Sequence, residues 1–199
     1  GTKILKYGVI ESLQPDLIIA NKEENTEADI LRLSENYPVW VSDVNTLDDA
    51  LDMIVRVGEL TQANFRAKDL AQKIRASFAQ MPTSPPKRTL YLIWRKPYMA
   101  AGKQTFIDDM LGRCGFENVL TDARYPELKQ SDIKRLNPDL VLFSSEPYPF
   151  KEHHLNFMHK LLPYAKLQLV DGEPFSWYGS RLLNSVPYFS KLLEVIKEN

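Results

Sequence analysis

A single cysteine, Cys114, in 199 residues removes two kinds of architecture. An internal disulfide needs two thiols and a multi-cysteine metal site needs several, so the chain holds neither. The compartment stays open, because many exported domains do without disulfides. Long hydrophobic runs are also missing: no apolar stretch approaches the roughly 20 residues that a membrane-spanning helix needs. Charge of one sign is missing too. Lys and Arg number 25 against 26 Asp and Glu, a net of −1, which exerts no long-range pull on nucleic acid. The eight glycines form neither a P-loop nor G-x-G-x-x-G, and no Ser, His and Asp sit in a nucleophile elbow, so bound ATP, a dinucleotide or triad hydrolysis has no support. What is present, 44% hydrophobic and 26% charged residues, is a globular composition sized for one large or two small domains.

The charge is unevenly placed. Residues 1–60 carry five basic side chains against twelve acidic ones, a net of −7, which leaves a net of +6 on residues 61–199. Apolar, β-branched and aromatic runs bounded by turn residues predict strands at Leu17–Ala20, Val39–Ser42, Leu90–Trp94, Leu140–Phe143 and Leu167–Val170, with helical spacing between them. Continuous apolar strands alternating with helices predict an α/β fold built on parallel sheets.

Residues 46–81 interrupt that alternation. Thr46-Leu-Asp-Asp49 reads as a capping box opening a helix with Leu47, Leu51, Ile54 and Val57 on one face,. Gly58 and Thr61 weaken it, and a second helix is predicted over Gln62–Gln80 with Phe65, Leu70, Ile74 and Phe78 as its apolar positions. Three prolines in Met81-Pro-Thr-Ser-Pro-Pro-Lys87 end that helix,. On either side the halves echo each other. Ile10-x-x-Leu13-x-Pro15-Asp16-Leu17 matches Ile133-x-x-Leu136-x-Pro138-Asp139-Leu140 at an offset of 123 residues, which predicts duplicated Rossmann-like lobes. The expected division is an N-terminal lobe at 1–60, a backbone helix and linker at 61–87, and a C-terminal lobe at 88–199.

Leu13-x-Pro15-Asp16-Leu17-Ile18-Ile19-Ala20, Ala101-Gly102-Lys103-x-Thr105-Phe106, Met110-Leu111-x-x-Cys114-Gly115-x-x-Asn118-Val119 and Pro138-Asp139-Leu140-Val141 occur in an informative order around the long helix. In this pattern the chain resembles the periplasmic binding proteins with a helical backbone, the cobalamin and iron–siderophore receptors of ABC importers. Ser144-Ser145-Glu146-Pro147-Tyr148-Pro149-Phe150 and Phe175-Ser176-Trp177-Tyr178-Gly179-Ser180-Arg181 resemble the cobalamin-receptor branch in particular. The resemblance implies an exported, periplasmic and monomeric protein that does no chemistry. It would capture cobalamin or a related chelate, such as an iron–siderophore or haem, between its lobes and deliver it to a permease dimer. It also implies an upstream segment ending near Gly1-Thr2-Lys3, without which the first lobe is incomplete. A two-lobed α/β enzyme, such as a glycosyltransferase or a metallocofactor-handling protein, is the alternative.

Loops at the C-terminal ends of parallel strands are where a ligand should bind. The loop after Leu90–Trp94 supplies Arg95, Lys96 and Tyr98, and the loop after Leu167–Val170 supplies Phe175, Trp177, Tyr178 and Arg181. Aromatics could stack on the flat face of a chelate while cations hold its polar edge. Packing of Trp177 and Tyr178 over the C-terminal helix is the competing, structural reading. The resemblance further implies one permease-docking glutamate per lobe, at Glu27 and Glu152, with Glu24 and Glu146 as neighbouring alternatives; a first-turn carboxylate also suits the helix dipole without any partner. His153, His154 and His159 lack the i, i+4 spacing of a helical metal pair, and no metal or cofactor is expected.

Overall fold

The computed structural model describes residues 4–197. Gly1–Lys3, where the resemblance ends an upstream segment, lie outside the described residues. The chain forms two compact units, 1–44 and 45–199, so the two helices following Thr46 cluster with the second unit, ahead of the division expected at residue 60.

The first unit runs α1 (Tyr7–Leu13), β1 (Ile18–Asn21), α2 (Glu27–Ser34) and β2 (Val39–Ser42). Its strands pair in parallel, Ile18 opposite Val39 through Asn21 opposite Ser42. Thr26 caps α2 by accepting the Asp29 N–H at 3.2 Å.

The second unit opens with α3 (Leu47–Leu60) and α4 (Asn64–Ala79). The capping box forms as expected: Thr46 Oγ1 accepts the Asp49 N–H at 3.2 Å and Asp49 Oδ2 accepts the Thr46 N–H at 2.9 Å. Gln62 at φ 58° breaks the chain between the helices, which starts α4 two residues later than predicted. Its buried stripe is Ala67, Ala71, Ile74 and Phe78, whereas Phe65 is 85% exposed. The small residues matter for packing. A Cβ on Gly58 would stand 2.2 Å from the Ala67 Cβ, so glycine and alanine together permit the close approach of α3 and α4.

β3 (Lys87–Trp94) is the centre of a six-stranded sheet. β7 (Leu140–Ser144) pairs with it in parallel, and β8 (Lys166–Val170) pairs with β7. On the opposite edge lie β5 (Phe116–Asn118), parallel, and β4 (Tyr98–Ala100), antiparallel, with β6 (Glu127–Leu128) beyond β4. All five residues of β7 are buried, as a parallel strand covered on both faces requires. Leu90, Leu92, Val141 and Phe143 pack on one face with Ile133 of α6 (Gln130–Leu136) and Met158 of α7 (Glu152–Leu161). On the other, Tyr91 and Phe175 lie 5.0 Å apart and Phe175 and Phe189 4.8 Å apart, joining α8 (Glu173–Ser176) and α9 (Ser185–Lys197) to the sheet. Cys114 follows α5 (Phe106–Arg113) and is fully buried, which pushes its thiol up to about 12.

The repeated motif keeps its geometry. α1 and α6 each end on a left-handed residue, Gln14 at φ 45° and Asn137 at φ 43°, followed by Pro-Asp and a parallel strand.

Candidate functional site

Three loops leave the C-terminal ends of β3, β7 and β8, which lie side by side in the sheet. The loop after β7 ties them together. Tyr148 donates its N–H to the Ile93 carbonyl at 3.3 Å, and Ser145 Oγ accepts the Gly172 N–H at 3.0 Å. Below the surface the buried Tyr91 hydroxyl donates to Ser144 Oγ at 3.2 Å, and Ser144 Oγ donates to the Glu146 carbonyl at 2.6 Å. Burial holds the Tyr91 hydroxyl far above its usual range, so it is a permanent donor. Gly172 lets the loops approach: a Cβ there would meet Ser144 Oγ at 2.4 Å and Glu146 Cγ at 2.6 Å.

On this base Glu146 Oε1 accepts two donors, Trp177 Nε1 at 2.5 Å and Ser176 Oγ at 3.0 Å. The Arg181 guanidinium stacks 4.7 Å from the Trp177 ring centre and pairs with Glu173. Trp177 is thereby held at its polar edge and one face while 44% of its surface stays exposed. Arg181 acts as a strut for that indole. Tyr178 meets Phe106 of α5 edge-on at 5.3 Å, a packing contact with α5 and not with the C-terminal helix. Phe175 is fully buried and leaves the set of ligand-facing residues. It faces the sheet because α8, a single turn, puts it on the side of Tyr91 and Phe189.

The β3–β4 turn supplies the other flank. Trp94, 39% exposed, meets Tyr148 edge-on at 5.6 Å. Hydrogen bonding to Tyr148, then to Tyr98, raises the pKa of Arg95. Arg95, Lys96 and Tyr98 also line a groove of about 290 Å3, with Leu128, Lys129 and Phe157 on its other walls. Behind Tyr148, His154 Nε2 stands 3.2 Å from its hydroxyl and His154 Nδ1 accepts the Lys151 N–H at 2.9 Å. Burial, then the neighbouring His153, Arg95 and Lys151 charges, lower the His154 pKa.

Sequence reasoning named the two flanking loops as ligand loops, and the one between them, Ser144–Phe150, entered only through the family resemblance and through Glu146 as a docking alternative. Trp94, Glu146 and Tyr148 were legible as residue types in the right place, at and just beyond strand ends. Glu27 and Glu152 are each the first residue of a helix, α2 and α7, and both are exposed. Neither is in an ion pair among the described residues. Glu146, the neighbouring alternative, is occupied by Trp177 and Ser176.

The sequence profile of the periplasmic binding proteins matches residues 7–159. The chain belongs to this family. The vitamin B12-binding protein of Salmonella typhi is 23% identical over 145 residues, covering 69% of this chain and 54% of that protein. The chain thus spans about half the length of that relative. Among solved structures, the periplasmic vitamin B12 binding protein BtuF of Vibrio cholerae superposes with a TM-score of 0.76 at 18% identity, over 100% of this chain and 82% of that one. The apo form of the periplasmic heme-binding protein RhuT from Roseiflexus sp. RS-1 gives 0.79 at 18% identity, over 99% and 81%. At such identities these likenesses establish the α/β fold alone. The relatives matched are binding proteins and not enzymes, so the two-lobed enzyme is not favoured. No helix among the described residues is long and apolar enough to cross a membrane.

Proposed function

We propose that this binding protein works in the periplasm, capturing a metal chelate of the cobalamin, iron–siderophore or haem kind and handing it to an ABC permease. One observation carries the reading: the loops after β3, β7 and β8 bring the exposed rings of Trp94 and Trp177 to one sheet edge, each held by a partner in the β7 loop, Tyr148 and Glu146. Preorganised aromatic surface with adjacent cations suits a large flat ligand, since stacking then costs little side-chain entropy. Arg95, Lys96, Tyr98, Trp177 and Tyr148 are the proposed ligand contacts. Glu27 and Glu152, exposed and in no ion pair among the described residues, are the proposed permease contacts, each available to an arginine cluster.

Titrating the full-length protein with cyanocobalamin, hemin and a ferric siderophore, read by absorbance and tryptophan fluorescence, tests the proposal. Saturable binding of one of the three is expected. Failure of all three to bind overturns it.

A further inference from the structure

The groove beside the β3–β4 turn has a chemistry of its own. At about 290 Å3 it is at the low end of ligand pockets, which span roughly 300–1,000 Å3. It therefore accommodates the edge of a large chelate and not the whole. Its walls include apolar surface from Leu128, Tyr98 and Phe157, and its charged members are Arg95, Lys96 and Lys129, with no Asp or Glu. None of these cations is in an ion pair among the described residues.

The carboxylates close by in sequence are engaged elsewhere. Asp132 accepts the Lys129 backbone N–H at 3.0 Å and the Arg135 guanidinium at 2.9 Å. Glu127 precedes Leu128 in β6, so the strand's alternation turns it to the face opposite the groove,. Tyr148 and then Tyr98 raise the Arg95 pKa, so the guanidinium keeps its charge and can grip a carboxylate with two N–H donors. Three like charges around an apolar wall repel one another until an anion arrives, and a neutral ligand would cover them without compensation.

We propose that this groove takes the carboxylate-bearing edge of an anionic metal chelate, in preference to a corrin whose periphery is neutral amides. The shared chemistry is the carboxylate, whether from porphyrin propionates or from a carboxylate siderophore. The inference rests on the binding-protein reading above and narrows its cargo.

The test compares hemin, ferric citrate and cyanocobalamin on the full-length protein and on a Lys96→Gln/Lys129→Gln double variant, at low and high salt. Both lysines are exposed, and circular dichroism checks that the variant folds as the parent does. One carboxylate chelate should bind at least about tenfold more tightly than cyanocobalamin, and its affinity should fall about tenfold or more in the variant, the scale of losing charge-assisted contacts. High salt should weaken that chelate as well. Cyanocobalamin affinity should fall by less than that of the carboxylate chelate. Whether hemin or ferric citrate binds more tightly identifies the source of the carboxylate. Cyanocobalamin binding as tightly as the tighter of the two carboxylate chelates overturns the inference and leaves the binding function standing, as does that chelate keeping the same affinity in both proteins. No binding of any of the three overturns both.

Discussion

His154 closes the start of α7 by accepting the Lys151 N–H on Nδ1 at 2.9 Å. That bond requires an unprotonated Nδ1, so in the neutral ring the proton sits on Nε2 and points to the Tyr148 hydroxyl,. Protonation would place a second N–H against the Lys151 N–H and open the cap. The folded pKa is lowered, by burial first and by His153, Arg95 and Lys151 after it. The unfolded chain therefore binds the proton more readily. The stabilisation is complete above the unfolded imidazole value of about 6.5 and is lost as pH falls from there through the folded pKa. Urea unfolding from pH 8 to pH 5 should show the parent losing stability relative to His154→Asn, whose amide oxygen keeps an acceptor at all pH values. Parallel curves would show that His154 does not titrate against the cap.

Trp177→Ala should weaken ligand binding by about 1–3 kcal/mol, the scale of a lost aromatic contact, with the fold intact. Glu146→Ala should weaken it less, because the carboxylate acts by orienting the indole. The double variant should bind no worse than Trp177→Ala, a non-additivity that a double-mutant cycle reads directly. Additive losses would mean that Glu146 meets the ligand on its own.

Gly58→Val should lower the unfolding free energy by about 1–3 kcal/mol, the usual range for overpacking, since even a Cβ at that position would stand 2.2 Å from Ala67. Denaturant melts measure this. An unchanged midpoint would mean that α3 and α4 separate freely.

Glu27→Ala or Glu152→Ala should abolish uptake through the cognate importer and leave ligand affinity as it was. Two contacts made by one chain act together, so either loss removes far more than half the apparent affinity for the permease. The double change should be little worse than either single one. Normal transport by both single variants would reduce these carboxylates to helix-dipole partners.

The five long strands were legible because each is a run rich in β-branched, aliphatic or aromatic residues. β4, β5 and β6 were not, since two or three residues carry no period. The α3 capping box was legible from Thr46 and Asp49 alone, a local device. Phe65 misled because its helical spacing matched the apolar face, whereas Ala67 and Ala71 mark that face by being small. At the site, the flanking loops announced themselves by aromatics and cations after strands. Phe175 lies in the single turn of α8 and Trp177 just after it, and composition cannot say which of them faces the core. The bond from Glu146 to Trp177 spans 31 residues, beyond the reach of any local pattern.

The twice-built helix–Pro-Asp–strand turn is unequal in one respect. Asn tolerates the left-handed cap at residue 137 better than Gln does at residue 14. α6 anchors Ile133 in the core, whereas α1 buries none of its residues. Local opening free energies follow the contacts that must be broken. In hydrogen–deuterium exchange the amides of α1 should therefore label early, the helix fraying and re-forming many times over. Their counterparts in α6 should stay protected until the six-stranded sheet itself comes apart. One turn, copied once, thus keeps two different clocks.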